Sequence, residues 1–308
     1  MADGSNSNLK IVFGAMTLGK PNTLGARVYS LQDADQIITK FQDHGHSEID
    51  TARLYGGGSS EEMLADLDWQ GRKLVMGTNL KALKTDKFDL FYLHGPDRKT
   101  PLKETMREVN ALHKEGYFSR FGVSNFMSWE VAKICEICEN HGWIKPTVYQ
   151  GIYSALHRSI ESELIPCLRH YGIALYAFQP LAGGFLTGRY RRDQEEFEAG
   201  SRFDAKGRSG TLHRQRYWND AYFDALDTIR AAADKHGLTV AEVAFRWLKH
   251  HSQLQSALDD AIIIGASNLN QLEGNLVDLE KGPLPEDVVG AMESAWSTVK
   301  GVSPKYFH

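Results

Sequence analysis

The chain has 308 residues, 42% hydrophobic and 24% charged, with a formal net charge of −4. This fits a globular protein and supplies neither the basic surplus that nucleic-acid binding needs nor a polybasic membrane anchor. No run approaches the ~18 apolar residues of a membrane span, and the opening "MADGSNSNLK" has no apolar signal-peptide core; a cytoplasmic protein is expected, with residues 1–9 as a flexible lead.

Strands and helices alternate along the chain. "KIVFGAM" (10–16) reads as the first strand. In 31–45, Leu31, Ala34, Ile37, Ile38 and Phe41 share one helical face, and the pattern stops at Gly45. "SEID" is a short second strand. Residues 59–69 read as a helix with Ser59 and Ser60 as caps and Glu61 and Glu62 favourable in its first turn. "KLVMGT" (73–78) and "FDLFYLH" (88–94) are the next strands, the latter almost continuously apolar as a strand buried on both faces should be. A helix over 100–116 is bounded by Pro101 and Gly116.

Strands at 118–124, 146–153, 173–180 and 261–267 follow, with helices at 127–142, 161–172, 223–237, 239–251 and 285–300 and another opened by "NLNQLEGNL". Pro166 is expected to kink or interrupt its helix. Residues 183–220 read as a long Gly- and Arg-rich insertion. Cys135 and Cys138 lie on one helix face; with no further Cys or His pair nearby at ligand spacing, they read as buried helix cysteines, and no metal is expected.

Eight strands alternating with helices predict an α/β fold, a (β/α)8 TIM barrel forming a single domain over 1–308 with a C-terminal helix. One interval is irregular. The third and fourth strands start at Lys73 and Phe88, about half the ~30 residues of an ordinary βα unit, so the third unit is shortened.

Barrel sites lie at the C-terminal ends of strands. Those ends present Gly14–Met16, Asp50 followed by Tyr55, Thr78–Asn79, His94, Ser124–Asn125, Gln150, Phe178–Gln179 and Gly265–Ser267. A carboxylate and a phenol leaving one strand tip form an acid–base pair. Taken singly, a histidine such as His94 at the end of an apolar strand is more often a satisfied core residue, and Gln150 can simply bond backbone groups.

Together these stretches resemble a known family. "EIDTARLYGGGSSE", "DLFYLHGPD", "GVSNFMSWEV", "TVYQGIYSALHR", "YAFQPLAGGFLTGRY", "RYWND" and "IIIGASNLNQLEGNL" are similar to segments of the aldo-keto reductases, closest to the aflatoxin-aldehyde and succinic-semialdehyde reductase branch. The resemblance implies NADPH-dependent reduction of an aldehyde or ketone by a tetrad of Asp, Tyr, Lys and His. Asp50, Tyr55 and His94 match that tetrad. The lysine does not: the family's "T-K" pair reads Thr78–Asn79, and Lys81, two positions on, is a weak substitute. An ammonium would lower the phenol's pKa; without one, Tyr55 is expected near an ordinary phenol pKa of about 10. The gap leaves a second reading, a redox-impaired NADP-binding protein with a regulatory, scaffold or accessory biosynthetic role.

The resemblance also implies the cofactor contacts. Ser124, Asn125 and Gln150 would hold the nicotinamide amide, and Phe178 would stack on its ring. Gln179, Pro180, Leu181, Gly183, Gly184, Gly188 and Arg189 would wrap the pyrophosphate, with Arg202. Ala266, Ser267, Asn268, Gln271, Glu273 and Asn275 would take the adenosine phosphate. His94, His213, Arg216 and His308 would face a small-molecule carbonyl substrate. Dimers are common in that branch, which makes a homodimer the assembly to test.

Overall fold

The computed structural model of the chain describes residues 8–78, 83, 85, 87–198, 201–204 and 208–308. Its strands are β1 Lys10–Gly14, β2 Glu48–Asp50, β3 Val75–Thr78, β4 Phe88–Leu93, β5 Phe118–Ser124, β6 Val148–Ile152, β7 Ala174–Phe178 and β8 Ala261–Ile264. They pair in chain order, all parallel, and β8 closes on β1. The helices are α1 Leu31–Asp43, α2 Ser59–Asp66, α3 Leu102–Lys114, α4 Ser128–His141, α5 Leu164–Tyr171, α6 Arg208–Tyr217, α7 Asp220–Lys235, α8 Val240–His250, α9 Leu269–Glu280 and α10 Glu286–Val299. The fold is the (β/α)8 barrel that the alternation predicts, and α10 is its terminal helix.

Two apolar layers hold it. One lies inside the barrel, where Val12, Leu90, Tyr92, Val148, Ala174, Tyr176, Ala261 and Ile263 pack together. The larger layer lies between strands and helices and includes Ile37, Ile38 and Phe41 of α1 and Val131, Ile134 and Cys135 of α4. Side chains alternate along a strand, so Leu90 and Tyr92 point to the axis while Phe91 packs outward against Phe118 and Phe121.

Tyr92 fits on the axis because its flanking strands carry glycine beside it. A Cβ on Gly77 of β3 would stand 3.2 Å from the Tyr92 ring, and one on Gly122 of β5 2.5 Å from it. The barrel core is filled by this ring where neighbouring strands would otherwise place side chains of their own.

The short third unit still closes. Residues 79–87 connect β3 to β4, which pair through Gly77 with Leu90 and Thr78 with Phe91. Nine residues reach at most ~30 Å when extended, and the return along a four-residue strand needs only ~13 Å.

Several local expectations differ from the structure. Ser59 and Ser60 do not cap α2, whose N-cap is Gly58 at φ 97°. Ser59 Oγ instead donates to Gly56 O at 2.6 Å, and Ser60 Oγ to Ala15 O at 2.8 Å, tying the helix start to the β1 loop. Pro166 neither kinks nor interrupts α5: the helix begins at Leu164, so the proline lies in its first turn, where an N–H has no partner within the helix. The 183–220 segment is not all loop; it contains a 3₁₀ turn at Ala182–Thr187, which starts one residue before it, and all of α6. Burial of Cys135 and Cys138 lifts their thiols to about 12 and about 11.

Candidate active site

The site is built around the turn that follows β2. Asp50 is its last residue, and Tyr55 opens a 3₁₀ turn, Tyr55–Gly58, that leads straight into α2. Gly56, Gly57 and Gly58 take φ of 57°, 64° and 97°, a left-handed run that side chains resist. That run lets the chain reverse within three residues and leaves the phenol over the barrel mouth.

Tyr55 Oη lies 3.4 Å from Asp50 Oδ2, and Gln150 Nε2 donates to Asp50 Oδ1 at 2.7 Å. Asp50 is only 6% exposed. Burial pushes its carboxyl up from 3.8 to about 7; the bonds from Gln150 and Tyr55 pull it down, and nearby Glu48 adds to the rise. Burial, then the adjacent Asp50, also hold the Tyr55 phenol well above the usual range, with Arg202 pulling the other way. The ordinary phenol pKa expected from sequence is therefore wrong, because that reading treated the lost cation and not the burial. Asn79 and Lys81 lie outside the described residues.

His94, just beyond β4, presents its ring edge-on to Tyr55, with centroids 6.1 Å apart at 87°. Burial, then the nearby His308 ring, lower its pKa, so it is neutral at pH 7. Its backbone carbonyl accepts from Asn125 Nδ2 at 2.8 Å, and the same amide donates to Ser124 Oγ at 3.1 Å. Ser124 at the end of β5 thus pairs with Gln150 in the middle of β6, Asn125 follows it, and Gln150 is committed to Asp50.

On the opposite rim, Phe178 ends β7, and Gln179 follows at φ 58°. Gln179 accepts from Tyr217 Oη at 3.0 Å. After Pro180 and Leu181, Gly183, Gly184 and Gly188 have φ of 70°, 102° and 75°. A Cβ on Gly184 would meet nothing within 4 Å, whereas one on Gly183 would stand 2.2 Å from the His213 ring. His213 is buried against this turn and bonds Gln179 at 3.4 Å, so it sits on the glycine-loop side of the site. Arg189 donates to Tyr190 Oη at 2.7 Å, and Arg202 faces the phenols of Tyr55, Tyr217 and Tyr190.

The last predicted cluster is at α9. Asn268 caps the helix, accepting from Gln271 N at 2.9 Å, and Gln271 Oε1 accepts from Ser267 N at 3.0 Å. Ala266 O accepts from Thr17 Oγ1 at 2.6 Å, Asn275 Nδ2 donates to Gly265 O at 3.3 Å, and Glu273 pairs with Lys40 at 3.5 Å. A cavity of about 310 Å³ opens at this helix start, lined by Ser267, Asn268, Leu269, Asn270, Arg27, Val28, Asp33 and Gln36. Helix N–H groups, Arg27 and hydroxyl and amide side chains around an open space offer donors to a phosphate, with the Asp33 carboxylate as the one opposing charge in the lining. Together with the glycine turn, these residues fit a dinucleotide.

Arg216 of α6 faces the ring of His308, whose carbonyl accepts from Arg98 Nη1 at 3.0 Å. His308 in turn neighbours His94. The tail therefore brings Arg216, His308 and His94 together, while His213 packs on the glycine turn. Sequence reading missed Arg27, Arg98 and Tyr92. The glycines at 77 and 122 were a usable signal for Tyr92; Arg27 and Arg98 carried none, since an isolated arginine in a loop has no pattern.

A closed parallel barrel with a buried Asp–Tyr pair, a neighbouring histidine and a glycine turn at one rim is the arrangement of a barrel oxidoreductase. The chain belongs to the aldo/keto reductase family, whose family model matches residues 10–68 and 76–297. It is 48% identical to the aldo-keto reductase pigE of Monascus ruber over 331 positions, covering 97% of each chain. It is 42% identical to the human aflatoxin B1 aldehyde reductase member 2 over 300 positions, covering 88% of this chain and 83% of that one. The first alignment has more positions than this chain has residues, so that relative carries segments this chain lacks. In fold, the chain resembles a glycerol dehydrogenase of Gluconobacter oxydans, with a TM-score of 0.70 at 22% identity, covering 96% of this chain and 93% of that one.

Proposed function

We propose that this protein reduces aldehydes or ketones to alcohols with NADPH, Tyr55 giving the proton and His94 orienting the carbonyl. The observation that supports it most is the Tyr55 phenol held between Asp50 and the edge of His94 at the barrel mouth. A phenol that stays protonated is a donor matched to the oxygen of a carbonyl under reduction. Neutral His94 hydrogen-bonds such an oxygen without adding charge.

When bound, the nicotinamide supplies the hydride. On the reading from resemblance, Ser124 and Asn125 hold its amide, Phe178 lies against its ring, and the Gly183–Gly188 turn with Arg202 takes the pyrophosphate. The α9 N-terminus with Ser267, Asn268 and Arg27 takes the adenosine phosphate, which favours NADPH over NADH. A homodimer in the cytoplasm remains the assembly and place to test. Among the described residues no helix is long and apolar enough to cross a membrane.

The test is a titration of NADPH by fluorescence quenching, followed in the same sample by its oxidation with 4-nitrobenzaldehyde. Oxidation above background that is lost in Tyr55→Phe is expected. Tight binding with no turnover would overturn the reductase reading in favour of an accessory nucleotide-binding role.

A further inference from the structure

We propose that Asp50 is the site's proton reserve, passing a proton from Oδ2 to Tyr55 Oη as the phenol protonates the substrate oxygen, so that no phenolate forms. The inference rests on the reductase reading above and assigns Asp50 a role different from steadying a cation.

The geometry provides a two-link chain. Gln150 Nε2 is 2.7 Å from Oδ1, which leaves Oδ2, 3.4 Å from Tyr55 Oη, as the oxygen that carries the proton. The 3.4 Å link is long for an O–H···O bond and is of the kind that tightens when substrate binds. In the ionised state Tyr55 donates to Oδ2; in the protonated state Oδ2–H donates to Tyr55, whose own O–H is then free for substrate.

Burial and the like charge of Glu48 favour protonated Asp50, against the hydrogen bonds from Gln150 and Tyr55. On β2 the neighbour is Glu48, a like charge, whose own oxygens are bonded to Arg120 at 3.2 Å and approached by Lys10 at 3.6 Å. From β4 comes the Tyr92 phenol, from β6 the Gln150 amide, and from beyond β4 the neutral His94 ring. From the segment before α6, Arg202 faces Tyr55. Among the described residues no Lys, Arg or His forms an ion pair with Asp50. Proton donation by Tyr55 alone would leave a phenolate 3.4 Å from a carboxylate in a buried site. Burial raises both groups, which opposes that pair of anions.

The relay avoids it. Hydride from the reduced nicotinamide forms the new C–H bond, and the carbonyl π pair moves to oxygen. The Tyr55 O–H bond breaks toward that oxygen, while the Asp50 O–H bond breaks toward Tyr55. The products would be the alcohol, the oxidised nicotinamide, neutral Tyr55 and ionised Asp50, and one solvent proton would restore the acid.

The test uses the full chain labelled with ¹³C at aspartate carboxyls, titrated from pH 5 to 9, with the Asp50 signal assigned by its loss in Asp50→Asn. The expected result is a carboxyl titrating near neutrality, with kcat for reduction falling tenfold per pH unit above the same midpoint. Asp50→Asn should lose 100-fold or more in kcat below that midpoint and should not show the fall above it. A carboxyl ionised below pH 5, with turnover present and level from pH 6 to 9, would overturn the relay and leave the reductase reading intact. So would a Lys81→Met change that raised the midpoint, since it would reveal a counter-ion. Absence of turnover with any carbonyl, whatever the titration, would instead sink the reductase reading and the relay with it.

Discussion

Asp50→Asn should make the protein more stable at alkaline pH while abolishing reduction. The folded-state pKa of Asp50 is about 7 against 3.8 for the free carboxyl. Between those values the folded state binds more protons than the unfolded one. Stability is therefore complete below pH ~4 and is lost as pH rises through 7. Three pH units at about 1.4 kcal/mol each put that loss at roughly 4 kcal/mol. Asparagine removes the titration and keeps the contacts: its oxygen accepts from Gln150, and its amide donates to Tyr55 Oη. Urea unfolding of wild type and variant at pH 5 and pH 8 measures the effect. The gain should be about 1–2 kcal/mol at pH 5 and approach ~4 kcal/mol at pH 8. A gain independent of pH, or a loss at pH 8, would refute the argument, because it would mean that an opposite charge already compensates the buried carboxylate.

Three further predictions rest on other parts of the molecule. Gly122→Ala places a Cβ 2.5 Å from the Tyr92 ring and should cost about 1–3 kcal/mol; most of that should disappear in a Tyr92→Leu background, measured as a double-mutant cycle. His157 is fully buried, and burial, then Arg216, hold its pKa at about 3. The folded state thus binds fewer protons below pH 6.5, so stability falls as pH drops. His157→Leu should remove about 2 kcal/mol of that fall between pH 6.5 and 5, read from unfolding midpoints. Arg27→Met removes a guanidinium lining the cavity at the start of α9; it should weaken NADPH binding roughly 10- to 100-fold, the value of a charge-assisted bond, and leave NADH binding nearly unchanged by fluorescence titration.

Alternation and burial patterns were enough to read the barrel, its eight strands and the shortened third unit from the chain alone. The reason is local: a strand buried on both faces and a helix with one apolar stripe write their periods into consecutive residues. Element ends were less legible. Ser59 and Ser60 look like caps in sequence, yet their hydroxyls bond backbone oxygens of Gly56 and Ala15, the second 45 residues away. Pro166 looked like a break because its place in the first turn depends on where α5 starts.

The positions of Asp50, Tyr55 and His94 at strand tips were likewise set by the order of residues, since a strand's end is a local fact. Their chemistry was not. The pKa of a carboxyl or phenol depends on water excluded by residues distant in the chain and on which donors arrive from other strands. Gln150, 100 residues from Asp50, supplies the carboxyl's shortest bond. Glu48 presses on it from β2. In the sequence the pair lacks its cation; only the closed barrel buries both groups, and that burial lifts the Asp50 carboxyl to about 7 and the Tyr55 phenol well above its usual range.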